Sequence, residues 1–318
     1  IPVLYGIDSI HGATYTLGSV LFPNAISAAA TWNVGLVKRS AEISAFQTRA
    51  SGIPWVFYPV LDIGRQPLWP RMWETYGEDP YLASKMGVAY VEGLQGKDMA
   101  ARDKVAACVK HYAGYSLPFN GKDRTPAILD ERTLRGLVLV PYEAAIKAGG
   151  ATVMVNSGEI SGVPGHANHF LLTDVLKGEW GFQGLAVSDW EDIKRLHTRD
   201  HVAATPKEAV RMAVMAGVDM SMVPMDFSFY DLLLECVKDG SVPMARIDDA
   251  VRRILRVKMQ TGLFERPRPE AAMKAEFEQA SFHAANLQAA REALVLLKNN
   301  GVLPLSRGRK VLVTGPNA

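Results

Sequence analysis

Four apolar stretches of this sequence end directly in polar side chains that can bind or react with a substrate. The residues at these four ends are Asp8, Lys110 with His111, Asn156 and Asp189. A carboxylate can serve as a nucleophile, whereas lysine and histidine supply positive charge and hydrogen bonds. One such residue is unremarkable, because an aspartate between a strand and a helix often caps the helix. Four of them favour a shared site.

Asp189 lies in the clearest of these segments, GLAVSDWED at positions 184–192. Three apolar residues after Gly184 predict a short strand that is buried on both faces, as in a parallel sheet covered by helices. Asp189 follows, and Trp190 beside it offers a flat apolar surface on which a sugar ring can pack. An aspartate near cations is expected to stay ionised at neutral pH, as a nucleophile must. For this segment alone a helix-capping aspartate is the commoner arrangement, and only the other strand ends favour catalysis.

Arg71 lies in a segment, residues 64–73, that contains two prolines and two tryptophans and has no periodicity. These features are typical of a packed, irregular loop, and such loops often carry function. The planar guanidinium can hold neighbouring hydroxyls or a carboxylate in a fixed orientation. The alternative is a structural ion pair with Glu74 or Asp79.

The combined set of side chains suits a carbohydrate better than other ligands. Sugar hydroxyls need both donors and acceptors, and those available here belong to Asp8, Arg71, Lys110 and His111. Lys110 is alternatively a Schiff-base lysine, but such a lysine usually needs an apolar pocket that lowers its pKa. The adjacent histidine and the carboxylates argue against that environment.

These side chains need a scaffold that brings strand ends together, and the apolar pattern predicts one. Short apolar strands are predicted at residues 1–7, 55–61, 105–109, 152–155, 185–187 and 218–222. Amphipathic helices are predicted at residues 25–50, 80–95, 131–148, 167–180, 207–216, 229–238, 246–260 and 281–300. Alternating strands and helices indicate parallel βα units. We therefore predict an α/β fold of the (β/α)8 TIM-like barrel type, irregular or incomplete because only six strands are visible, whose strand ends form one catalytic mouth.

A doubly wound open sheet is the alternative fold, although no Gly-x-Gly-x-x-Gly motif follows a predicted strand. The chain has 318 residues and a net charge of only +2, with no basic stripe, which argues against nucleic acid as a partner. No apolar run approaches the ~18 residues of a membrane span. Cys108 and Cys236 lie in apolar surroundings and are interpreted as buried free thiols. We expect no cofactor and no metal.

Short motifs along nearly the whole chain resemble glycoside hydrolase family 3, the group of β-glucosidases and exo-β-glucan hydrolases. They are YGID at 5–8 with HG at 11–12, WPR at 69–71, ETYGEDP at 74–80, KHY at 110–112, LTD at 172–174, SDW at 188–190 and GLF at 262–264. Each motif alone is weak, but their order along the chain is that of the family.

The resemblance implies a retaining exo-β-glycosidase that releases glucose from the non-reducing ends of β-glucosides or β-glucans by double displacement. Asp189 matches the catalytic nucleophile of the family. The positions that match the −1 sugar subsite are Asp8, Arg71, Lys110 and His111. Trp190 matches a wall of the +1 subsite, and Arg195 falls where some members have an arginine at the pocket rim. The resemblance also favours a periplasmic or secreted location.

The general acid/base is expected outside this chain. In β-glucosidases of the family it is a glutamate on a second domain, which here would lie beyond residue 318, on the same protein or on a partner chain. The nearby carboxylates Glu159 and Glu191 are interpreted as solvated loop residues. Residues 1–264 are predicted to form the barrel, with an upstream part expected to be missing. Residues 265–292 are predicted to be a linker and connecting helix, and residues 293–318 the first strands of an α/β sandwich domain.

Three departures from the family pattern affect this prediction. Residues 69–71 read Trp-Pro-Arg where many members have Trp-Gly-Arg. Ser157 stands where many β-glucosidases have a tyrosine close to the nucleophile, which leaves the hydrogen-bond partner of Asp189 open. The loop at 113–119 lacks the histidine of N-acetylglucosaminidases, which disfavours that activity. A β-xylosidase, a glycoside phosphorylase and a non-catalytic carbohydrate-binding barrel remain alternatives.

Overall fold

The computed structural model describes residues 1–315, and its centre is a curled, parallel five-stranded sheet. The strands are β1 (Gly6–Ile7), β2 (Trp55–Val56), β3 (Ala106–Tyr112), β4 (Thr152–Val155) and β7 (Leu185–Val187), and they lie side by side in chain order. A small antiparallel hairpin, β5 (Glu159–Ile160) and β6 (Val163–Pro164), follows β4. Because helical segments return the chain between consecutive strands, neighbouring strands are parallel and their carboxyl ends meet at one edge.

The helices surround this half-barrel sheet. Their bounds are α1 (Ala25–Ala30), α2 (Val34–Ala50), α3 (Pro80–Gln95), α4 (Glu131–Thr133), α5 (Val140–Lys147), α6 (Asp192–Thr198), α7 (Pro206–Ala216), α8 (Ser228–Lys238), α9 (Met244–Gln260), α10 (Ala272–Ala275) and α11 (Ala280–Glu292). Short 3₁₀ turns occupy Met72–Glu74 and Gly165–Ala167. Two segments are π-helical, Leu134–Val138 and Phe170–Glu179.

Several predicted bounds differ from the structure for local physical reasons. The predicted helix at 25–50 breaks because Trp32 has a left-handed φ of 55° and the Asn33 side chain accepts the Leu36 N–H, which starts a new helix. The predicted second strand ends at Val56, and Pro59 further on has no N–H to donate to a ladder. The predicted strand at 218–222 is reduced to one bridge, between Val187 and Met220. Helix α6 directly after the Asp189 segment was not predicted.

The sheet is buried on both faces. In β3, Ala107 and Val109 pack among residues of α2, α3 and α5, whereas Ala106 and Cys108 pack on the opposite face with Trp55. Side chains of a strand alternate between its faces, so a strand that is apolar throughout is typical of a sheet covered on both sides. Cys108 and Cys236 are free and buried, as predicted.

Residues 293–315 form no helix or strand and are exposed. The sandwich strands predicted for residues 293–318 thus have no counterpart among the described residues of that range, and residues 316–318 lie outside the described part. The division into a barrel, a linker and a second domain stays a prediction. No helix in residues 1–315 combines the length and the apolar character needed to cross a membrane.

Asp219 ties strand β7 to the segment that follows it. Its buried carboxylate accepts hydrogen bonds from Lys177 Nζ at 2.7 Å and from Arg246 Nη2 at 2.6 Å. The other oxygen accepts the Ala186 N–H at 2.9 Å, and the Asp219 N–H donates to the Ala186 carbonyl at 2.8 Å. Two cations therefore converge on one carboxylate that also holds the strand leading to Asp189.

Replacing Asp219 should destabilise the protein severely. In Asp219→Ala, Lys177 and Arg246 lose the nearer of the two carboxylates they share and keep Asp249, at 3.8 and 3.2 Å. Both cations remain largely buried, and breaking a buried ion pair costs about 3–5 kcal/mol. The measurement is the free energy of unfolding in urea. Asp248→Ala is the control, because Asp248 meets Arg252 at 3.7 Å on the exposed side of α9 and should cost at most about 1 kcal/mol. Equal losses in the two variants would contradict the assignment.

Candidate active site

A pocket of about 270 Å³ lies where the carboxyl ends of the strands meet. The residues that line it are Asp8, Ile10, Tyr15, Arg71, Glu74, Lys110, His111, Arg124, Met154, Asp189, Trp190 and Met222. Six of the seven predicted site residues are among them. Arg195 is not, and its guanidinium is instead paired with Asp192 at 2.8 Å.

Asn156, the fourth polar strand end, has a structural place rather than a place in the pocket lining. Its Nδ2 donates to the Ala113 carbonyl at 2.7 Å, and its Oδ1 accepts the Gly158 N–H at 2.6 Å. The side chain is buried and holds the turn after β4 against the end of β3. The strand-end pattern alone therefore selected one residue whose polar groups are used by the backbone.

Lys110 and Asp8 form an ion pair across the pocket between β3 and β1. Lys110 Nζ donates to Asp8 Oδ1, and the lysine side chain is only 4% exposed whereas the aspartate is 47% exposed. The lysine thus lies at the base of the pair and the carboxylate nearer the opening. The arrangement leaves Asp8 acceptor oxygens accessible to a ligand, and it places a carboxylate, not an apolar wall, beside the lysine.

Arg71 is held by its neighbour Glu74, as the structural alternative predicted, and also lines the pocket. Nε and Nη2 donate to the two Glu74 oxygens at 2.7 and 2.8 Å, a bidentate pair. Burial alone would lower the pKa of Arg71, but the hydrogen bonds and charge of Glu74 raise it above its ordinary value. Arg71 Nη2 also lies 3.1 Å from His111 Nε2. Nη1 donates to the Tyr115 hydroxyl at 3.3 Å. Glu74, His111 and Tyr115 therefore fix the guanidinium at the pocket lining.

His111 is anchored from behind by Asp62, a residue that the sequence reasoning missed. Asp62 Oδ2 accepts from the His111 backbone N–H at 3.0 Å and lies 2.8 Å from His111 Nδ1. Burial raises the pKa of Asp62 to about 7, against the lowering effects of the His111 N–H, Arg71 and Tyr142. Burial, followed by the charges of Arg71, Lys110 and Arg124, lowers the pKa of His111 well below its ordinary value. The pair is thus a neutral imidazole on a buried carboxyl group.

Asp189 lies just after β7 with one oxygen unused. Oδ1 accepts the Trp190 N–H at 2.6 Å, and the Asp189 N–H donates to His166 Nε2 at 3.1 Å. Oδ2 is buried and has no hydrogen-bond partner. Burial, then the charge of Asp192, raises the pKa of Asp189, while the Trp190 N–H and the nearby cations lower it less. Desolvation thus outweighs the nearby cations in setting the pKa of Asp189. That Asp189 is ionised at neutral pH stays a prediction.

Arg124 lines the pocket and contacts Ser157, which is fully buried and does not line it. Arg124 Nη1 donates to Ser157 Oγ. Burial raises the pKa of Asp192, whereas the Ser157 hydroxyl, Arg199 and Arg195 lower it. Arg124 was not found from the sequence, since it lies in the irregular segment after β3, where spacing carries no signal.

The two carboxylates considered as on-chain acids do not line the pocket. Glu159 is part of the β5–β6 hairpin, and Glu191 precedes α6 with a left-handed φ of 59°. Of the lining carboxylates, Asp8 is paired with Lys110 and Glu74 with Arg71. Among the described residues, Asp189 is thus the lining carboxylate with a buried oxygen that has no partner.

The fold and the site together define a parallel βα barrel with a polar, charged pocket at its mouth, and comparison with known proteins specifies the family. Residues 1–257 match the family model described as "Glycosyl hydrolase family 3 N terminal domain". The chain belongs to glycosyl hydrolase family 3, which confirms the resemblance found in the sequence and the predicted TIM-like barrel class.

Among its relatives, the chain is 47% identical to the lysosomal beta glucosidase of Dictyostelium discoideum and 37% identical to the periplasmic beta-glucosidase of Salmonella typhimurium. These matches cover 100% of this chain but 40% and 41% of the relatives, so the chain spans about two fifths of their length. The structure of beta-glucosidase from Listeria innocua in complex with glucose superposes with a TM-score of 0.90 at 33% identity. That match covers 96% of this chain and 42% of the Listeria chain.

The pH dependence of stability should report the buried His166. Burial lowers its pKa to about 4 from an ordinary 6.5, so between these values the unfolded chain binds a proton that the folded chain does not. Stability should therefore fall by about 3 kcal/mol as the pH drops through this window. His166→Gln removes the titrating group, so unfolding in urea should show a correspondingly weaker pH dependence. The exposed His169→Gln is the control and should keep the wild-type profile.

Proposed function

We propose that the protein is a retaining exo-β-glucosidase in which Asp189 is the nucleophile. The observation that carries the proposal is the buried, unpartnered Asp189 Oδ2 in a pocket that also contains three cations and an imidazole. An unsatisfied buried oxygen is rare in native structures and costs free energy, and such atoms occur at sites of chemistry. The β-glucosidase names of the relatives support the same reaction.

In the proposed first step, Asp189 Oδ2 attacks the anomeric carbon and forms a glycosyl ester while the glycosidic C–O bond breaks. The leaving oxygen takes a proton from a general acid, and the same group later deprotonates the water that releases the sugar. Asp189 must be ionised to attack. Its raised pKa in the free site is countered by Lys110 and Arg124, whose charges favour the carboxylate.

We propose that the acid/base comes from outside residues 1–318, from a further domain of the same protein or from a partner chain. A retaining mechanism needs a second carboxyl about 5–5.5 Å from the nucleophile. Asp8 and Glu74 are committed to Lys110 and Arg71, and Glu159 and Glu191 do not line the pocket. A chain that spans about two fifths of its relatives is consistent with this division.

The proposed substrates are β-glucosides or gluco-oligosaccharides bound by their non-reducing sugar. Asp8, Arg71, Lys110 and His111 supply the hydroxyl contacts, and the half-exposed Trp190 faces the departing group. Listeria innocua beta-glucosidase has been crystallised with glucose and, as a mutant, with laminaribiose, which supports a glucose-sized −1 subsite. A β-xylosidase is the second candidate, because relatives of Formosa agariphila that are 36% identical carry that name.

Arg195 is proposed to act on the site only through Asp192, since it does not line the pocket.

The lysosomal and periplasmic names of two relatives support a location outside the cytoplasm. A glycoside phosphorylase would need phosphate instead of water for the second step. A carbohydrate-binding barrel without turnover would bind glucose but form no covalent intermediate.

A slow fluorinated aryl β-glucoside should label Asp189 covalently in the full-length protein. The fluorine slows both steps, and the activated leaving group needs little acid assistance, so the glycosyl ester accumulates. Mass spectrometry of the labelled peptide identifies the carboxylate. Asp189→Asn should remove the label and lower kcat by several orders of magnitude with unchanged unfolding in urea. A label on any other carboxylate would sink the assignment, and no label with tight glucose binding would favour the non-catalytic barrel.

Substituting a predicted sugar contact should lower kcat/KM more than substituting Arg195 does. Lys110→Met and Arg71→Met each remove a charged donor that touches the pocket, and hydrogen bonds to charged groups are worth about 1.5–3 kcal/mol. We expect kcat/KM for an aryl β-glucoside to fall by at least about 10-fold in each. The kcat/KM of Arg195→Met should fall less, because Arg199 still pairs with Asp192. Equal losses in all three would contradict the placement of Arg195 outside the pocket.

A further inference from the structure

The hydrogen bonds around His111 determine which of its ring nitrogens carries the proton. Arg71 Nη2 lies 3.1 Å from Nε2, and a guanidinium has donors but no acceptor. Nε2 must therefore be the acceptor in this contact. A neutral ring then carries its proton on Nδ1, which points to Asp62 Oδ2 at 2.8 Å. Burial and the charges of Arg71, Lys110 and Arg124 lower the pKa of the ring, so it does not take a second proton.

Asp62 enforces this arrangement from outside the pocket lining. Its Oδ2 also accepts the His111 backbone N–H, a group that can only donate. Oδ2 is therefore an acceptor whether Asp62 is ionised or protonated, since a proton on the carboxyl would reside on Oδ1. Oδ1 lies 3.2 Å from the Tyr142 hydroxyl, which also donates to the His111 carbonyl at 2.8 Å. The backbone N–H and the ring Nδ1 of His111 thus both donate to the same oxygen, Asp62 Oδ2.

We infer that Asp62 is a positioning residue that fixes His111 in the Nδ1–H tautomer, so that Nε2 accepts a hydrogen bond from one hydroxyl of the substrate. The inference rests on the proposed glycosidase function and deepens it. A hydroxyl that approaches Nε2 donates its hydrogen there, and its oxygen accepts from Arg71 Nη2 in place of the direct Arg71–His111 contact. The site then recognises a group that both donates and accepts.

This recognition excludes groups that only accept. Fluorine or a methyl ether at the same carbon presents no hydrogen to Nε2, and it brings a partial negative charge against a lone pair. The opposite tautomer, with the proton on Nε2, would reverse the preference and would also oppose Arg71. Asp62 therefore contributes to selectivity without touching the sugar.

Three variants separate tautomer control from simple packing. Asp62→Asn keeps a carbonyl oxygen for the two His111 donors, and its amide can donate to the Tyr142 hydroxyl. Asp62→Leu keeps similar volume but removes the acceptor. Tyr142→Phe is the matched control, because it removes a buried hydroxyl from the same cluster and leaves the Asp62 contact with Nδ1 intact.

The first readout is neutron diffraction from crystals of the full-length protein after hydrogen–deuterium exchange. Deuterium is expected on His111 Nδ1 and not on Nε2, in the wild type and in Asp62→Asn. Deuterium on Nε2 in the wild type would overturn the inference. This measurement does not depend on turnover, so it stays decisive even if Asp189 forms no glycosyl ester and the proposed function fails.

The second readout is kcat/KM for an aryl β-glucoside and for analogues with fluorine in place of the hydroxyl at C3, C4 or C6. Asp62→Leu should lose on the order of 10–100-fold with the parent glucoside, the loss seen when the hydrogen-bond partner of a metal-ligating histidine is removed. Asp62→Asn and Tyr142→Phe should stay within about threefold of the wild type. One fluorinated analogue should show an extra penalty in the wild type that disappears in Asp62→Leu.

If Asp62→Asn is as impaired as Asp62→Leu, or if the extra penalty persists in Asp62→Leu, the tautomer argument is wrong. If Asp62→Leu does not fold, His111→Asn is measured in its place. The extra penalty of the fluorinated analogue should disappear in His111→Asn, and a penalty that persists would contradict the inference.

Discussion

The need to satisfy charged side chains that are removed from water governs the whole site. Lys110, Glu74 and Asp189 are each less than 10% exposed, and an ionised group so placed is costly unless it is paired and hydrogen-bonded. The strand ends meet this requirement by pairing across strands, so that β1 supplies Asp8 for the lysine of β3. The loop after β2 supplies both Arg71 and its partner. Because each partner is itself held, the pocket is organised before a ligand arrives.

Asp189 is the exception to this pairing, and the exception is what suggests its chemistry. One of its oxygens has no partner, and burial together with Asp192 raises its pKa. A carboxylate stabilised by several donors would be a poor nucleophile, because those hydrogen bonds must weaken when the oxygen attacks. Contacts elsewhere offset the free-energy cost of this oxygen. Asp219 holds β7, and His166 holds the Asp189 backbone N–H. A rigid backbone beneath an unsatisfied oxygen is how a protein keeps a reactive group in place.

Arg124 lines the pocket and donates to the Ser157 hydroxyl. A cation is therefore among the groups that act on the charge of Asp189. A cation favours the ionised form of Asp189 over a longer range than a hydroxyl does, which offsets part of the effect of Asp192.

The sequence by itself determined the residues whose chemistry follows from local order. Asp8, Lys110, His111 and Asp189 end apolar runs, and parallel βα units bring such ends to one edge wherever they occur. The same rule applied to Leu61 would have found Asp62, which follows the predicted second strand directly.

Only the tertiary structure decided which polar groups are available to a ligand. Asn156 follows a strand as the rule requires, yet its amide forms hydrogen bonds with backbone groups. Arg195 is paired with Asp192 and does not line the pocket. Arg124 reaches the pocket from a segment without periodicity. The pKa of Asp189 depends on burial and on Asp192, the first residue of α6, a helix that was not predicted. Availability and charge state are set by what lies close in space, and spacing along the chain does not encode that distance.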